Sequence, residues 1–183
     1  MNILTTKIPG LLIIEPKVFG DDRGFFVETW QTERYREAGI ELPFVQDNLS
    51  ASSCGVLRGL HHQYPSPQGK LVQVIAGEVF DVAVDIRNDS PTFGQWEAII
   101  LDDKSRRQFW IPPGLAHGFC VLSERAVFAY KCTDYYQPDG ELTLAWDDHD
   151  LAIDWPIKNP GLSDKDKVGM RLSELPRERL MQF

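Results

Sequence analysis

The chain has 183 residues, 43% of them hydrophobic, and a formal net charge of -8. One domain spanning residues 1–183 is the simplest prediction, because a chain of this length buries roughly 70% of the surface that it exposes when unfolded. A net negative charge repels a polyanion, and no block of lysine and arginine offsets that repulsion. The composition therefore argues against a nucleic-acid partner.

The cysteines indicate a reducing compartment. Cys54, Cys120 and Cys132 are far apart and odd in number, which argues against a disulfide framework or a zinc knuckle. The longest early apolar run, residues 11–14, is far shorter than the roughly 20 residues of a membrane span. We therefore expect a cytoplasmic protein with no membrane partner.

Short apolar or alternating runs, separated by Gly, Pro, Asp and Ser, recur along the whole chain. The predicted strands lie at 11–14, 25–30, 44–50, 56–63, 70–76, 78–86, 96–101, 107–111, 117–122, 126–133 and 142–146. This spacing is typical of an all-β sandwich or barrel. A double-sheet jelly roll closes so many antiparallel strands and leaves a cavity between its sheets.

Helices are predicted at only a few places, all of them short and peripheral. Residues 32–38 predict one helix, with Thr32 as its N-cap and Gly39 at its C-terminal end. Ser163 followed by Asp166 predicts a short helical turn, and the leucines at 172, 175 and 180 predict a C-terminal helix.

The run 79–86 shows a two-residue period. Its first face carries Asp81 and Asp85 among small apolar residues, and its second face is wholly apolar. The two carboxylates have two interpretations. They tune His61 or Lys70 from a neighbouring strand, or they simply face solvent.

Charged groups interrupt the apolar strand at 56–63. Arg58 and His61 lie within it, and Lys70 opens the next strand. Such groups are seldom buried without partners, so they predict a ligand-binding cavity. In a regular strand Arg58 and His61 would face opposite ways, and a bulge or bend at Gly59 would bring them to one side.

Ten stretches of the chain, in order, carry a family resemblance. They lie at 15–21, 23–26, 44–48, 56–63, 69–72, 77–87, 90–94, 110–119, 130–138 and 162–166. Together they resemble the dTDP-4-dehydrorhamnose 3,5-epimerases, the cupin-type isomerases of dTDP-L-rhamnose biosynthesis. The resemblance implies a cupin-like jelly roll, a role in cell-surface polysaccharide biosynthesis and no cofactor. The implied substrate is the dTDP-4-keto-6-deoxy sugar dTDP-4-dehydro-6-deoxy-D-glucose, and the implied product is dTDP-4-dehydro-L-rhamnose.

Epimerisation next to a ketone needs a base, a group that stabilises the enolate oxygen, and an acid on the opposite face. His61 is the candidate base, because imidazole titrates near neutral pH. Asp166 is the candidate group that orients it. Lys70 is the candidate electrophile for the enolate oxygen, and Tyr130 is the candidate acid, since a phenol is protonated at pH 7.

Other site residues are implied by the family alone. The sugar nucleotide would contact Arg23, Glu28, Gln46, Asp47, Asn48, Arg58, His117, Glu141 and Lys165, and Tyr136 would stack on the thymine. The resemblance also implies a homodimer with exchanged or shared amino-terminal strands, in which Arg23 and Glu28 serve the partner's pocket. Structural roles compete for several positions. His61 could be a core histidine, Tyr130 a surface strand residue, and the segment around Asp166 a solvated turn.

Three rival functions are weighed against this one. A metal-dependent cupin would use His117 in the pattern Pro112-x-Gly114-x-x-His117, but the other motif is missing, since His61 and His62 are adjacent and diverge. We therefore expect no metal site. A binding module without chemistry would lack the base or the acid. A single-carbon epimerase stays open. His62, where the family usually has an aromatic residue, is expected to pack outside the pocket.

Overall fold

The computed structural model describes residues 1–183, and antiparallel strands dominate it. The thirteen strands are β1 (Asn2–Thr5), β2 (Leu12–Glu15), β3 (Val18–Asp21), β4 (Gly24–Val27), β5 (Gln46–Ser53), β6 (Leu57–Gln63), β7 (Lys70–Ala76), β8 (Glu78–Asp85), β9 (Trp96–Asp102), β10 (Gln108–Ile111), β11 (Leu115–Val121), β12 (Arg125–Cys132) and β13 (Glu141–Thr143). One α-helix, α1 (Thr32–Glu37), and four 3-10 turns complete the regular structure.

Two sheets face each other. The larger has the order β1-β2-β10-β7-β12-β5, and the smaller has the order β13-β6-β11-β8-β9. The strands β3 and β4 form a separate hairpin. The all-β, two-sheet prediction is confirmed.

The main core lies between the sheets. It contains Val72 and Phe109 from the larger sheet and Ala83 and Phe119 from the smaller one, each at most 5% exposed. Alternation along the strands sends one side chain in two into this layer.

Both outer faces are also covered. Tyr35 of α1 packs with Trp110 on the outside of the larger sheet. Residues of the C-terminal segment, including Trp155 and Leu180, pack with Val82 on the outside of the smaller sheet. No helix here has the length and apolar character that crossing a lipid bilayer would require.

Most predicted strands are confirmed, but β1 and β3 were missed. Both are exposed and four residues long, so neither shows the apolar alternation that marks a buried face. The cap prediction at α1 was wrong in part. The side chain of Gln31, not that of Thr32, accepts from the backbone of Arg34, whereas Gly39 does follow the helix with a φ of +91°.

The predicted C-terminal helix is also wrong. The segment instead makes two 3-10 turns, Leu172–Glu174 and Arg177–Arg179. Pro176 lies between them, and a proline ring and its missing N–H group prevent an α-helix from continuing through that position. The predicted turn at Ser163 and Asp166 is confirmed.

The predicted irregularity at Gly59 is confirmed. Arg58 pairs with Phe119, and His61 pairs with His117. The two pairs are three residues apart on β6 but two residues apart on β11, so β6 has one extra residue here. This extra residue puts Arg58 and His61 on the same face. Gly59 has a φ of +130°, and a Cβ there would lie 2.5 Å from the Cα of Gly118. Only glycine allows both the conformation and the contact.

We expect Gly59→Ala to lower the free energy of unfolding by about 2–4 kcal/mol, because it adds overpacking to an unfavourable φ. Gly55→Ala is the matched control, since Gly55 has a φ of +79° but no atom within 4 Å of an added Cβ. It should cost about 1 kcal/mol. Urea unfolding measures both, and equal losses would contradict the close-contact argument.

Candidate active site

A cavity of about 310 Å³ lies between the two sheets and carries most of the predicted site. Ten of the fourteen predicted residues line it, namely Gln46, Asn48, Arg58, His61, Lys70, His117, Tyr130, Tyr136, Glu141 and Lys165. Both sheets contribute, which follows from the alternation of their strands.

His61 and Asp166 form a hydrogen-bonded pair at the cavity wall. The distance from His61 Nε2 to Asp166 Oδ1 is 2.6 Å. Ser163 Oγ donates to the other carboxylate oxygen at 2.8 Å. Burial raises the pKa of Asp166, but the hydrogen bonds from His61 and Ser163 outweigh burial and leave the pKa below its ordinary value. The carboxylate thus holds a proton on Nε2 and leaves Nδ1 as the nitrogen that can accept one.

Lys70 and Tyr130 come from neighbouring strands of the opposite sheet. Burial lowers the pKa of Lys70, whose ammonium group has no carboxylate within 4.0 Å. Burial also raises the pKa of Tyr130, and the nearby thiol of Cys132 raises it further. Tyr130 therefore remains a protonated phenol at neutral pH, within a cavity that already holds a cation.

A second His–Asp pair stands beside the first. His117 Nε2 lies 3.0 Å from both carboxylate oxygens of Asp81. Burial lowers the pKa of His117 and raises that of Asp81, so it favours the uncharged form of each. The solvent-facing interpretation of the carboxylates on β8 is wrong, because Asp81 and Asp85 are both fully buried. Asp85 serves a turn instead, where it accepts from Arg87 at 2.7 Å.

The mouth of the cavity carries a polar network. Glu141 Oε1 accepts from Lys165 Nζ at 2.8 Å, and Glu141 Oε2 accepts from the hydroxyl of Tyr136 at 3.0 Å. Glu141 Oε1 also lies 3.9 Å from His61 Nδ1. Gln46 accepts from the backbone N–H of Tyr136 at 3.0 Å. The network links His61 to the half-exposed ring of Tyr136.

Four predicted residues are not among those that line this cavity: Asp166 lies behind His61, and the other three are Asp47, Arg23 and Glu28. Asp47 points away and binds Lys131 at 2.9 Å, as alternation along β5 between Gln46 and Asn48 requires. Arg23 and Glu28 lie on or beside the β3–β4 hairpin, outside the cavity of their own chain. Asp47 therefore lies outside the lining of the cavity in this chain.

Four lining residues were missed. Ser50 follows Gln46 and Asn48 by two positions, Phe119 follows His117 by two, and Phe128 precedes Tyr130 by two. The two-residue period of a strand could have found each of them. Gln68 lies in a loop, where no periodic signal exists.

Comparison with known proteins assigns this site to a family. The family model for dTDP-4-dehydrorhamnose 3,5-epimerase matches residues 5–174. This chain belongs to the dTDP-4-dehydrorhamnose 3,5-epimerase family. The relative from Shigella flexneri is 54% identical, with 93% of this chain and 96% of that protein covered. The relative from Pseudomonas aeruginosa is 53% identical, with 95% and 97% covered.

Solved structures agree with the epimerase fold. The dTDP-6-deoxy-D-glucose-3,5-epimerase from Legionella pneumophila, in complex with dTDP-4-keto-L-rhamnose, is 57% identical with a TM-score of 0.97, and the match covers 100% of this chain and 98% of that one. A 3'-monoepimerase from Streptomyces bikiniensis, in complex with dTDP-quinovose, is 35% identical with a TM-score of 0.87, over 92% and 86%. The cupin-like fold prediction is thereby confirmed.

His62 lies outside the catalytic cavity of this epimerase, as its position beside His61 predicts. It is 4% exposed, and its Nε2 has no hydrogen-bond partner. Burial, with a smaller contribution from the charge of Lys70, lowers the pKa of His62 from 6.5 to about 4. This uncharged imidazole is packed in the interior, at a position where the resemblance implies an aromatic ring.

His62 should therefore weaken the protein in acid. Its folded pKa is below its unfolded one, so between about pH 6.5 and 4 the unfolded state binds a proton that the folded state does not. Stability is lost as the pH falls, by about 2 kcal/mol at pH 5 from this group. Urea unfolding at pH 7 and 5 should show that His62→Phe removes this loss.

The exposed His149 supplies the control for that measurement. His149→Gln should leave the difference between pH 7 and pH 5 as it is in the parent, because the side chain is 78% exposed and its removal does not alter the surroundings of His62. If the parent and His62→Phe lose the same free energy of unfolding between pH 7 and pH 5, then His62 takes up a proton readily in the folded state.

Proposed function

We propose that this protein is a cofactor-free isomerase that epimerises carbons 3 and 5 of dTDP-4-dehydro-6-deoxy-D-glucose and forms dTDP-4-dehydro-L-rhamnose. One observation carries the proposal. His61, on the smaller sheet, and Tyr130, on the larger one, line one cavity from opposite sides, with Lys70 beside Tyr130. Inversion needs this arrangement, because a proton must leave one face of the sugar and return to the other.

The chemistry follows from the order of the groups. His61 Nδ1 takes the proton from the carbon next to the ketone, and the pair of electrons moves onto the carbonyl oxygen. The ammonium group of Lys70 stabilises this enolate oxygen, since a buried cation acts strongly where water is excluded. The phenol of Tyr130 then donates its proton to the opposite face. Asp166 keeps the imidazole oriented and stabilises its charged form.

The remaining cavity residues bind the nucleotide sugar. Arg58 and Lys165 supply positive charge for the diphosphate, and Tyr136 offers an exposed ring on which the thymine stacks. Gln46 and Asn48 hold polar groups along the same wall, joined by a hydrogen bond of 3.0 Å. His117 would contact the sugar in this proposal.

The functional unit is a homodimer in this proposal. The β3–β4 hairpin exposes the aromatic rings of Phe19, Phe25 and Phe26, each more than half exposed in the single chain. A second copy would cover such a patch. Arg23 sits at the tip of the hairpin with an exposed guanidinium, suited to reach the diphosphate in the partner's pocket.

Isotope exchange tests the reaction itself. The protein is incubated with the dTDP-4-keto sugar in deuterated water, and NMR reports which carbons exchange and which invert. Inversion with deuterium at both carbons is expected. Inversion at carbon 3 alone would favour the rival assignment as a single-carbon epimerase, an activity that the Streptomyces bikiniensis neighbour carries in its name.

Replacing His61 by Asn removes the proton acceptor but keeps the approximate size and one hydrogen bond. We expect both exchange and inversion to fall by about 10²–10⁴, with dTDP binding retained. Asp166→Asn should cost less, because it weakens orientation without removing the base. Exchange at the parent rate in His61→Asn would place the base elsewhere.

Replacing Tyr130 by Phe separates proton removal from proton return. The enolate should still form, and His61 can return a solvent-derived proton to the face from which it took one. We expect measurable deuterium exchange but much less inverted product, with carbon 5 affected more. The NMR ratio of exchange to inversion is the measurement, and an unchanged ratio at both carbons would assign Tyr130 to packing alone.

Complementation tests whether Arg23 acts across the dimer. Arg23→Ala and His61→Asn variants are each expected to be weak, but in a hybrid dimer one pocket has both lesions and the other has neither. Co-expressed at equal levels, the two should restore roughly a quarter of the parent activity. A mixture no more active than the average of the two variants would place Arg23 in its own subunit's site, or in none.

A further inference from the structure

Two successive inversions require the base and the acid to return to their starting protonation states after the first inversion. His61 and Tyr130 cannot do this without other proton donors and acceptors. This inference rests on the proposed function. After the first inversion His61 carries the proton that it removed, and Tyr130 is a phenolate. The second inversion needs His61 neutral and Tyr130 protonated. Both groups must therefore exchange protons while the singly inverted sugar is still bound.

The geometry of the cavity limits which group can accept the proton from His61. Asp166 occupies Nε2 at 2.6 Å, so the proton taken from the sugar resides on Nδ1. The charged or titratable groups that share the cavity are Arg58, Lys70, His117, Tyr130, Tyr136, Glu141 and Lys165. Glu141 is the single carboxylate among them, and its Oε1 is 3.9 Å from Nδ1. A small shift of either side chain, or one water molecule, joins the two atoms.

The other neighbours on the His61 side of the sugar are poor acceptors, and the phenolate of Tyr130 lies across the sugar on the opposite sheet. Arg58, Lys70 and Lys165 are cations, and His117 is hydrogen-bonded to the buried Asp81 at 3.0 Å. Glu141, by contrast, connects to solvent. Its Oε2 accepts from the hydroxyl of Tyr136, a residue that is 51% exposed.

We propose that Glu141 acts through His61 as a proton relay, which returns the base to its neutral form between the two inversions. The imidazolium N–H bond at Nδ1 breaks and an O–H bond forms on Glu141 Oε1. The carboxylic acid then releases the proton to water at the cavity mouth. Tyr130 regains a proton from water. Each inversion thus exports one proton through Glu141 and imports one from solvent.

The ion pair with Lys165 suits this role. Burial raises the pKa of Glu141, but the hydrogen bond from Lys165 and the charge of His61 outweigh burial and leave it below its ordinary value. A proton that reaches this carboxylate is therefore passed on and not retained. Between turnovers the relay is not needed, because product release opens the cavity to water.

The test is single-turnover kinetics with Glu141→Gln, which keeps the size of the side chain and an acceptor for Lys165. Enzyme in excess is mixed with the dTDP-4-keto sugar, and quenched samples are analysed for inversion at each carbon. We expect the second inversion to slow about tenfold or more relative to the first, with release of singly inverted sugar. Added formate, a small carboxylate, should restore the second inversion.

Lys165→Met is the matched control, because it removes the partner of Glu141 and leaves the carboxylate. It should raise the KM and keep the ratio of second to first inversion rates. The inference is overturned if Glu141→Gln keeps that ratio, if formate restores nothing, or if Lys165→Met changes the ratio equally. A parent that inverts one carbon alone overturns the proposed function together with this inference.

Discussion

The close approach of two backbones at Gly59 and Gly118 is the constraint on which the site depends. Neither strand has room for a Cβ at the crossing, and the extra residue of β6 is accommodated there. This one irregularity turns Arg58 to the face that already carries His61. Without it His61, the proposed base, and Arg58, proposed to bind the diphosphate, would lie on opposite sides of the sheet. Two glycines thereby determine which side chains of β6 face the cavity.

The cavity balances its charges between the two sheets. The larger sheet supplies Lys70, whose ammonium group is buried without a carboxylate partner, and the smaller sheet supplies histidines that are each paired with an aspartate. Burying an unpaired cation is unfavourable, and in the proposed reaction an enolate or diphosphate oxygen would relieve that cost. The destabilisation is thus concentrated where the ligand's negative charge develops.

The two-residue period that one buried face leaves predicted the strands with strong alternation, whereas most of the cavity residues were predicted from the family resemblance. Neither the period nor the resemblance could predict that Asp81 is buried. Asp81 lies on the face of β8 that also carries Val79 and Ala83, and this face is covered by the larger sheet, which other parts of the chain form. Long-range covering of this kind leaves no local pattern. The position of Asp47, by contrast, follows from a local pattern. Gln46 and Asn48 on β5 face the cavity, so alternation turns Asp47 between them to the other face.

Phe119 and Phe128 have a further consequence. Their rings stack across the space between the sheets with centroids 4.2 Å apart, next to His117 and Tyr130. Since His61 belongs to one sheet and Tyr130 to the other, this pair of rings acts as a spacer that sets the distance between the proposed base and the proposed acid. In that proposal the thickness of the sandwich governs proton transfer. A smaller ring in that layer would narrow the gap and misalign proton transfer well before it unfolded the protein.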